Sequence, residues 1–310
     1  MFAVTGSTGE MGRRVAQGLA ARDFQQRLLV RDPARAPQLS GAEVVPVGSY
    51  GDARAMGRAL DGVQTLFLVS AHDTIGIVHR AMMSGVPVPA HDRVHEHITA
   101  VAAAAAVGVE RVVYLSFVSP APDATFILSR EHYYTEEYIR STGLGFTFLR
   151  QNLYMDRVPE LVSRSDVIRA PAGQGRVAWV TRDDVADSAI GVLIATGHDG
   201  QAYDITGPEA PTMAETAEKL SAAMGRRITY EPQTPHEART ARNASRMEEM
   251  EDARKARTGR GLTDEEVEIW ISHYLQIATG ETSVVSDSVF RLSGHPAVSL
   301  EEYLEKNLVS

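Results

Sequence analysis

Short apolar runs alternate with amphipathic segments along the first half of the chain. Phe2, Ala3 and Val4 form the first run and predict a buried strand. Five further runs predict strands at residues 27–30, 43–47, 64–70, 111–116 and 145–149. Amphipathic segments between the runs predict helices at residues 52–60, 92–107 and 131–141. This alternation is typical of a doubly wound parallel sheet, so we predict a Rossmann-like α/β fold.

The second half of the chain mixes shorter apolar runs with capping signals. Three runs predict strands at residues 177–180, 202–205 and 228–231. The sequence from Thr181 to Asp184 has the pattern of a helix cap. A second helix is predicted to begin at Thr212 and to stop at Gly225. These signals continue the α/β pattern, with less regular spacing than before.

The position of these signals predicts the domain organisation. We expect an NAD(P)-binding Rossmann domain over residues 1–150, rejoined by residues 177–206, and a smaller α/β substrate-binding domain mainly within residues 151–310. Residues 236–260 carry dense charge of both signs and predict a solvated helix. A capping box at residues 263–266 precedes an apolar stripe formed by Val267, Trp270, Ile271, Tyr274 and Leu275.

Three glycines follow the first predicted strand at equal spacing, in the order Gly6, Gly9 and Gly12. Gly6 permits a tight turn, Gly9 lets the backbone approach a pyrophosphate, and Gly12 lets the next helix lie against the strand. The helix N-terminus then offers unpaired N–H groups and a positive dipole end to phosphates. Because this turn joins a strand to a helix, we predict nucleotide binding by Gly6, Ser7, Thr8, Gly9, Glu10 and Met11.

Composition limits the class of partner. A net charge of −9 argues against nucleic acid or an anionic membrane, which leaves a small-molecule substrate. No apolar run approaches the roughly 18 residues of a membrane span. The first strand begins at residue 2, so we expect no signal peptide and a cytoplasmic location. The absence of cysteine excludes thiolate chemistry. His91, His95 and His97 lack further ligands at a defined spacing, so no metal site is predicted.

Six motifs in chain order cover nearly the whole sequence. They are TGSTGEMG at Thr5–Gly12, LVRDPAR at Leu29–Arg35, VGVERVVYLS at Val107–Ser116, EHYYTEEYIRSTG at Glu131–Gly143, FTFLRQNLY at Phe146–Tyr154 and YDITGPEAPT at Tyr203–Thr212. With these motifs the chain resembles the NmrA-like, atypical branch of the short-chain dehydrogenase/reductases, particularly the NAD(P)H:quinone reductases. The resemblance implies a Rossmann fold that binds NAD(P), either for reduction or, in non-catalytic members, for sensing NADPH.

The usual catalytic pair of the wider family is missing here. In relatives with a conventional centre, a tyrosine followed four residues later by a lysine delivers the proton. The resemblance places Leu128 and His132 in those two slots. The only lysines are Lys219, Lys255 and Lys306, so no such pair can form in the preceding 218 residues. Catalysis would therefore depend on positioning the hydride donor and the acceptor.

The missing acid favours some acceptors over others. Reduction of an isolated ketone creates a strongly basic alkoxide, whereas reduction of a quinone creates a phenolate-like product with a pKa near about 10. Water or one weak donor can then suffice. We therefore predict an NADPH-dependent oxidoreductase that transfers hydride to a quinone or a similar conjugated acceptor. Two alternatives remain: an NADP(H)-sensing regulatory protein without catalysis, and an isomerase or reductase of a specialised metabolite.

Residues that follow the predicted strands supply further candidate cofactor contacts. Arg31 follows the second strand, where NAD enzymes usually hold an acidic residue, and its guanidinium can pair with a 2′-phosphate. Asp32 is a counter-signal, but a helix-capping role before Pro33 accounts for it. The resemblance implies the same role for Arg31, so we predict NADP(H) in preference to NAD(H). The ends of the fourth and fifth strands predict nicotinamide contacts at Ser70, Ala71, Ser116 and Phe117.

Three residues are candidates for the reacting centre. His132 is predicted as a proton donor or ribose contact, with a hydrogen-bonded helix residue as the alternative. Asn152 and Tyr154 follow the sixth strand and are predicted on the substrate side. Residues 71–91 follow the fourth strand and are predicted as a lid or substrate wall. An oligomer contact, such as a homodimer interface, and a surface excursion are the alternatives for that segment.

Overall fold

The computed structural model describes residues 1–70, 93–244 and 264–308. Seven strands form its central sheet: β1 (Phe2–Thr5), β2 (Gln26–Val30), β3 (Ala42–Pro46), β4 (Thr65–Val69), β5 (Arg111–Phe117), β6 (Gly145–Gln151) and β8 (Gln201–Ile205). Their order is β3-β2-β1-β4-β5-β6-β8, and every neighbouring pair is parallel. The order changes direction between β1 and β4, as in doubly wound folds. The predicted Rossmann-like fold is confirmed.

Helices alternate with these strands. They are α1 (Glu10–Ala20), α2 (Ala53–Leu60), α3 (Arg93–Ala106), α4 (Ile127–Ser141), α5 (Arg182–Ile194), α6 (Met213–Met224), α7 (residues 235–244), α8 (Asp264–Ala278), α9 (Ser288–Ser293) and α10 (Leu300–Leu308). Thr181 caps α5 by accepting a hydrogen bond from the Asp184 N–H, and Gly225 ends α6 in the left-handed conformation. Both predicted helix boundaries are therefore confirmed.

The large sheet is covered by helices on both faces. Alternate residues of each strand point to opposite sides, so one strand contributes to two cores. On one face, Val4 of β1 belongs to a core with Leu19 of α1 and Val185 of α5. On the other face, Ala3 belongs to a second core with Leu60 of α2 and with residues of α3. A sheet buried on both sides explains why its strands are short, nearly continuous apolar runs.

A second, two-stranded sheet lies apart from the large one. Strand β7 (Val167–Ala170) pairs in parallel with β9 (Thr229–Pro232). Residues of this sheet pack with α6, α8 and α10 in a third core, which also contains Phe117 at the end of β5. The third core therefore borders the carboxyl edge of the large sheet. The domain boundary predicted at residue 150 stays a prediction.

The strand predicted at residues 177–180 is wrong. Val180 forms only an isolated bridge with Tyr154, and the N–H of Ala178 donates to the carbonyl of Thr282 in a loop. This apolar run is buried by surrounding loops rather than by a ladder of strand neighbours. Strand β7 was missed because it has four residues and its third is charged, which breaks the apolar run.

Helix α4 begins at Ile127, four residues before the start predicted at residue 131.

The segment 71–91, predicted as a lid or wall, lies outside the described residues, as do residues 245–263 of the charged and capping segments. The expectations for those segments therefore stay predictions.

Helix α1 lies unusually close to the turn that precedes it. A Cβ atom added at Gly12 would lie 2.4 Å from the carbonyl carbon and oxygen of Gly6, closer than real Cβ atoms approach. Gly6 itself has a φ of 64°, a left-handed conformation that side chains rarely adopt. The predicted roles of these two glycines in the tight turn and in helix–strand packing therefore agree with the geometry.

This close contact predicts opposite effects for two glycine-to-alanine changes in helices. Gly12→Ala should destabilise the protein by about 2 kcal/mol or more, because the methyl group overpacks backbone that cannot move aside. Gly57→Ala, in α2, should instead stabilise it by about 0.5–1 kcal/mol, because its Cβ would meet Val107 at an ordinary 3.7 Å. Urea unfolding measures both changes. Equal effects of the two substitutions would contradict the packing argument.

Candidate cofactor and substrate site

The carboxyl ends of the large sheet open into a cavity of about 1160 Å³. Its wall includes residues that follow β1, β2, β4, β5 and β6, and it continues to α7 and α8. Ligands of open α/β sheets bind at this edge, where the strand order changes direction. One end of the cavity is therefore formed by residues 6–12, called here the glycine turn, and the other is called the α8 end.

The glycine turn presents backbone rather than side chains to the cavity. The Gly9 N–H donates to the Gly6 carbonyl at 2.9 Å, which closes the turn. Gly9 is also the N-cap of α1 and provides no capping side chain, so the first N–H groups of the helix remain available to a ligand. This arrangement fits the phosphates of a dinucleotide. The predicted residues that line the cavity here are Gly6, Thr8, Gly9, Glu10 and Met11.

The side chains of Ser7 and Glu10 in the glycine turn are not free to contact a ligand. The Ser7 side chain is fully buried, so it does not reach the cavity, and only its backbone remains available for the predicted contact. Glu10 lies at the cavity, but its carboxylate accepts a hydrogen bond from Arg14 at 2.6 Å. That hydrogen bond lowers the pKa of Glu10. Arg14 thereby offsets a negative charge that would otherwise repel a phosphate.

Arg31 lies where the sequence predicts it, at the cavity wall directly after β2. Arg35 lines the same part of the wall. Both guanidinium groups are exposed, and within residues 1–70, 93–244 and 264–308 neither has a carboxylate partner. The Asp32 carboxylate accepts a hydrogen bond from the Ala34 N–H at 3.0 Å, so its predicted capping role is confirmed. Two unpaired arginines at this point fit an additional phosphate.

The third strand also contributes to the wall, which sequence reasoning missed. Gly48, Ser49 and Tyr50 follow β3 and line the cavity beside Arg31. Burial raises the pKa of Tyr50 to about 12, so its phenol keeps its proton at neutral pH. The signal was present in the sequence, because all carboxyl ends of a parallel sheet lie at one edge.

Only some of the residues predicted at the ends of β4 and β5 line the cavity. Ser70 and Phe117 line the cavity, whereas Ala71 lies outside the described residues. Ser116 does not line it: the side chain is fully buried, and its hydroxyl donates to Glu136 at 2.7 Å. The prediction that the Ser116 hydroxyl lines the cleft is therefore wrong, because adjacent strand residues face opposite sides.

His132 lines the cavity but belongs to a buried hydrogen-bond network. Its Nε2 lies 3.1 Å from Nη2 of Arg93, and a guanidinium can only donate, so Nε2 accepts. A neutral ring then carries its proton on Nδ1, which donates to the Tyr114 hydroxyl at 2.8 Å. Arg93 is held in turn by the Glu131 carboxylate at 2.8 Å.

This network leaves His132 without a proton to give to a substrate. Burial, together with the positive charge of Arg93, lowers the pKa of His132 well below its ordinary value. The ring is therefore neutral at neutral pH, and both nitrogens already have partners. The geometry favours the hydrogen-bonded helix residue over the proton donor, the two alternatives that the sequence left open.

Asn152 and Tyr154 both line the cavity, but their polar groups form hydrogen bonds within the protein. Asn152 is fully buried, and its amide donates to the Thr282 carbonyl at 2.9 Å and accepts from the Leu153 N–H at 2.8 Å. The Tyr154 hydroxyl donates to the side chain of Gln151. Both residues therefore shape the wall, and their predicted part in the reaction stays a prediction.

A continuous series of aromatic rings runs along the cavity from the end of β5 to the α8 end. This aromatic wall consists of Phe117, Phe126, His132, Trp270, His273 and Tyr274, all of which line the cavity. His132 stacks on Phe117 at 6.3 Å between ring centroids, and Phe117 meets Phe126 at 5.5 Å. Phe126 contacts His273 at 5.4 Å, and Trp270 and Tyr274 complete the series at 4.9 Å. Such a surface suits a flat, conjugated ligand.

The α8 part of this wall could not be assigned from the sequence. Trp270 and Tyr274 belong to the predicted apolar stripe, but that stripe divides in the structure. Val267 and Ile271 pack with Ala238 of α7, Trp270 both packs against this cluster and lines the cavity, and Tyr274 lines the cavity. Periodicity identifies the buried face of a helix, but it does not distinguish a protein core from a ligand cavity.

Comparison with known proteins agrees with this geometry. Residues 6–196 match the model of a family described as NAD(P)H-binding, and the chain belongs to that family. Within the described residues, no helix is long and apolar enough to cross a membrane. The same residues contain no cluster of three or more potential metal ligands.

Two curated relatives and one solved structure with oxidoreductase names match most of the chain. The chain is 37% identical over 246 residues to (4-alkanoyl-5-oxo-2,5-dihydrofuran-3-yl)methyl phosphate reductase of Streptomyces griseus, covering 78% of this chain and 80% of the relative. It is 27% identical over 307 residues to NAD(P)H azoreductase of Xenophilus azovorans, covering 98% and 96%. The structure of an NADPH-dependent quinone oxidoreductase of Escherichia coli, complexed with NADPH, superposes with a TM-score of 0.82 at 26% identity and covers 99% of both chains.

The protein is therefore an NAD(P)H-dependent oxidoreductase of the NmrA-like, atypical short-chain dehydrogenase/reductase type, and the resemblance drawn from its sequence is confirmed. The glycine turn fits this assignment because it leaves the N-terminus of α1 uncapped at the cavity. The assignment sets the class of reaction. The acceptor and the choice between the two cofactors are separate questions.

The depressed pKa of His132 predicts a loss of stability in acid. Unfolded histidine titrates near pH 6.5, well above the pKa of buried His132, so the unfolded chain binds more protons between these two values. The free energy of unfolding is then fully retained above pH 6.5 and falls below it, by about 1.4 kcal/mol per pH unit for each such group. His132→Ala should remove the contribution of this histidine to the pH dependence of the free energy of unfolding.

Urea unfolding of the wild type and His132→Ala across the acid range measures this slope. The difference between the two proteins above pH 6.5 gives the cost of lost packing, which does not depend on pH. Below that value the two curves should converge. Parallel curves at all pH values would contradict a neutral, buried His132.

Proposed function

We propose that this protein is an NADPH-dependent reductase of quinones or similar conjugated acceptors. The observation that carries the proposal is the aromatic wall, which runs from the end of β5 to α8 within the cavity that contains the glycine turn. A flat acceptor stacked on this wall would lie beside a cofactor held at the sheet edge. Stacking also excludes water from the reacting faces.

The residues of the chain would bind and orient the two reactants. The glycine turn would hold the pyrophosphate, and Ser70 and Phe117 would border the nicotinamide at the strand ends. The bound cofactor supplies the hydride. Hydride transfer mainly requires that donor and acceptor lie close together in the correct orientation, which a packed wall on fixed elements provides.

The absence of a free acid at the conventional catalytic position supports a conjugated acceptor. His132 is neutral and already hydrogen-bonded, and Leu128 and His132 replace the conventional tyrosine and lysine. An acceptor whose product resembles a phenolate, with a pKa near about 10, can take its proton from water. Two relatives are named for conjugated acceptors, an azo compound and a quinone.

The test of this function is steady oxidation of NADPH in the presence of a panel of quinones. We expect turnover by the wild type, and His132→Ala should reduce it by less than the roughly 10²-fold that general acid catalysis contributes. A reduction of about 10³-fold, with NADPH binding intact, would show that His132 is the proton donor. Binding of NADPH without turnover of any quinone would instead favour the NADP(H)-sensing alternative.

The preference for NADPH rests on Arg31. If its guanidinium holds the 2′-phosphate, Arg31→Ala should weaken NADPH binding by about 1.5–3 kcal/mol, the range of a hydrogen bond to a charged group. NADH binding should barely change, because NADH lacks that phosphate. Arg58→Ala is a matched control, since Arg58 is exposed on α2 and does not line the cavity. Titration calorimetry that showed equal losses for both cofactors would rule out this role.

The substrate side is proposed to come mainly from the chain after residue 150. Helix α8, the turns at Met155–Arg157 and Pro159–Leu161, and strand β7 all contribute residues to the cavity away from the glycine turn. These elements would form the predicted substrate-binding part, separate from the cofactor-binding sheet. This separation would let acceptor preference change without altering cofactor binding.

A further inference from the structure

Two polar groups at the α8 end of the aromatic wall make no hydrogen bond within the described part of the fold. His273 and Tyr274 are half-buried and line the cavity. Nδ1 of His273 lies 3.4 Å from Nε2 of Gln276, and an amide nitrogen can only donate, so Nδ1 accepts. A neutral ring then carries its proton on Nε2. In the described part of the chain, neither this Nε2–H nor the Tyr274 hydroxyl has a hydrogen-bond partner.

The position of these two groups is fixed by packing. The neighbouring Ser272 accepts a hydrogen bond from the Ile127 N–H at 3.3 Å, which docks α8 against the start of α4. The His273 ring makes T-shaped contacts with Phe126 and Tyr274, with centroid distances of 5.4 and 5.2 Å. A ring held on two sides keeps its outward edge in one orientation, which a donor to a ligand requires.

Both groups are neutral donors at neutral pH. Burial lowers the pKa of His273 to about 4, and the positive charge of Arg157 acts in the same direction. Burial raises the pKa of Tyr274 to about 12. Neither group carries a charge that would have to be desolvated when an acceptor enters. A neutral donor is most effective when negative charge develops on its partner within a dry site.

We propose that His273 Nε2–H and Tyr274 Oη–H form a donor pair that binds the acceptor oxygen on which negative charge develops. This inference rests on the proposed reductase function. Hydride from NAD(P)H forms a new bond at one end of the conjugated acceptor and leaves NAD(P)⁺, while the displaced π electron pair moves to the oxygen at the other end. The pair stabilises this oxygen by hydrogen bonding and transfers no proton, which water supplies afterwards.

The donor pair also explains how an enzyme without a committed acid can select oxygen-bearing acceptors. The pair lies on α8, separated from His132 and the sheet edge by Phe117 and Phe126. A conjugated acceptor stacked on the wall would span this separation, with its reacting end at the nicotinamide and its oxygen at α8. An isolated ketone has its reacting carbon and its oxygen adjacent, so it cannot use the pair in this way.

The test compares an acceptor that develops an oxyanion with one that does not. Menadione is a quinone, whereas the cation of crystal violet accepts hydride at carbon and becomes neutral. The variants His273→Phe, Tyr274→Phe and the double substitution keep the aromatic wall and remove the donors. The double variant should lower menadione kcat by about 10²-fold, the lower range for loss of an oxyanion donor, and should lower crystal violet kcat much less.

Two further variants separate donor loss from damage to the fold. His273→Asn keeps an N–H donor and should recover part of the menadione activity that His273→Phe loses. Tyr230→Phe removes a hydroxyl of the same core that already donates to the Ala170 carbonyl at 3.1 Å, so it should alter neither acceptor selectively. NADPH affinity and the thermal midpoint confirm folding, and the single variants carry the comparison if the double variant does not fold.

Each outcome supports or overturns the inference. Selective loss of menadione turnover supports the donor pair. Unchanged menadione turnover, or equal loss with both acceptors, overturns it and leaves the proposed reductase function intact. A wild type that binds NADPH but reduces no quinone overturns the proposed function, and the donor pair with it.

Discussion

The rest of the site depends on the contact between Gly12 and Gly6, where helix α1 meets the preceding turn without an intervening side chain. This contact fixes the N-terminus of α1 at the carboxyl edge of the sheet, directly beside the change in strand order between β1 and β4. The helix then points its uncapped N–H groups into the cavity, and Arg31 at the end of β2 lies on the same edge. A cofactor held by backbone in this way leaves the side chains of β5, β6 and α8 free to define the acceptor.

A buried polar network takes the place of the conventional catalytic pair. His132 occupies the slot of the lysine, but its nitrogens bind Arg93 and Tyr114 rather than facing a substrate. Hydrogen bonds of His132 to Arg93 and Tyr114, together with the Arg93–Glu131 ion pair, limit the cost of burying these polar groups beneath the cavity. The lowered pKa of His132 keeps its ring uncharged, so this ring contributes a neutral aromatic surface to the cavity wall. Leu128 in the tyrosine slot removes the acid, and His132 in the lysine slot contributes its ring to the stacking surface.

Most of the fold, and the part of the site at the glycine turn and Arg31, could be predicted from the sequence because they follow from local patterns. Apolar runs, the glycine spacing and the caps at Thr181 and Gly225 are each read within a few residues. Contacts between distant segments could not be predicted. Arg93 and His132 are 39 residues apart, and nothing local indicates that the arginine would engage the ring. Strand alternation, by contrast, could have shown that only one of Ser116 and Phe117 faces the cavity.

The distribution of charge connects cofactor binding with acceptor entry. The chain carries a net charge of −9, yet seven arginines and three glutamates line the described cavity wall. A cleft that concentrates one sign of charge raises the local concentration of ligands of the opposite sign, even when the protein as a whole repels them. Most of these arginines outside the Arg31 region are paired with carboxylates or stacked on aromatic rings, as Arg182 is on Tyr154 at 3.8 Å. The positive field therefore acts most strongly where a dinucleotide phosphate would bind, and it weakens toward α8, where neutral donors and aromatic rings remain to select the acceptor.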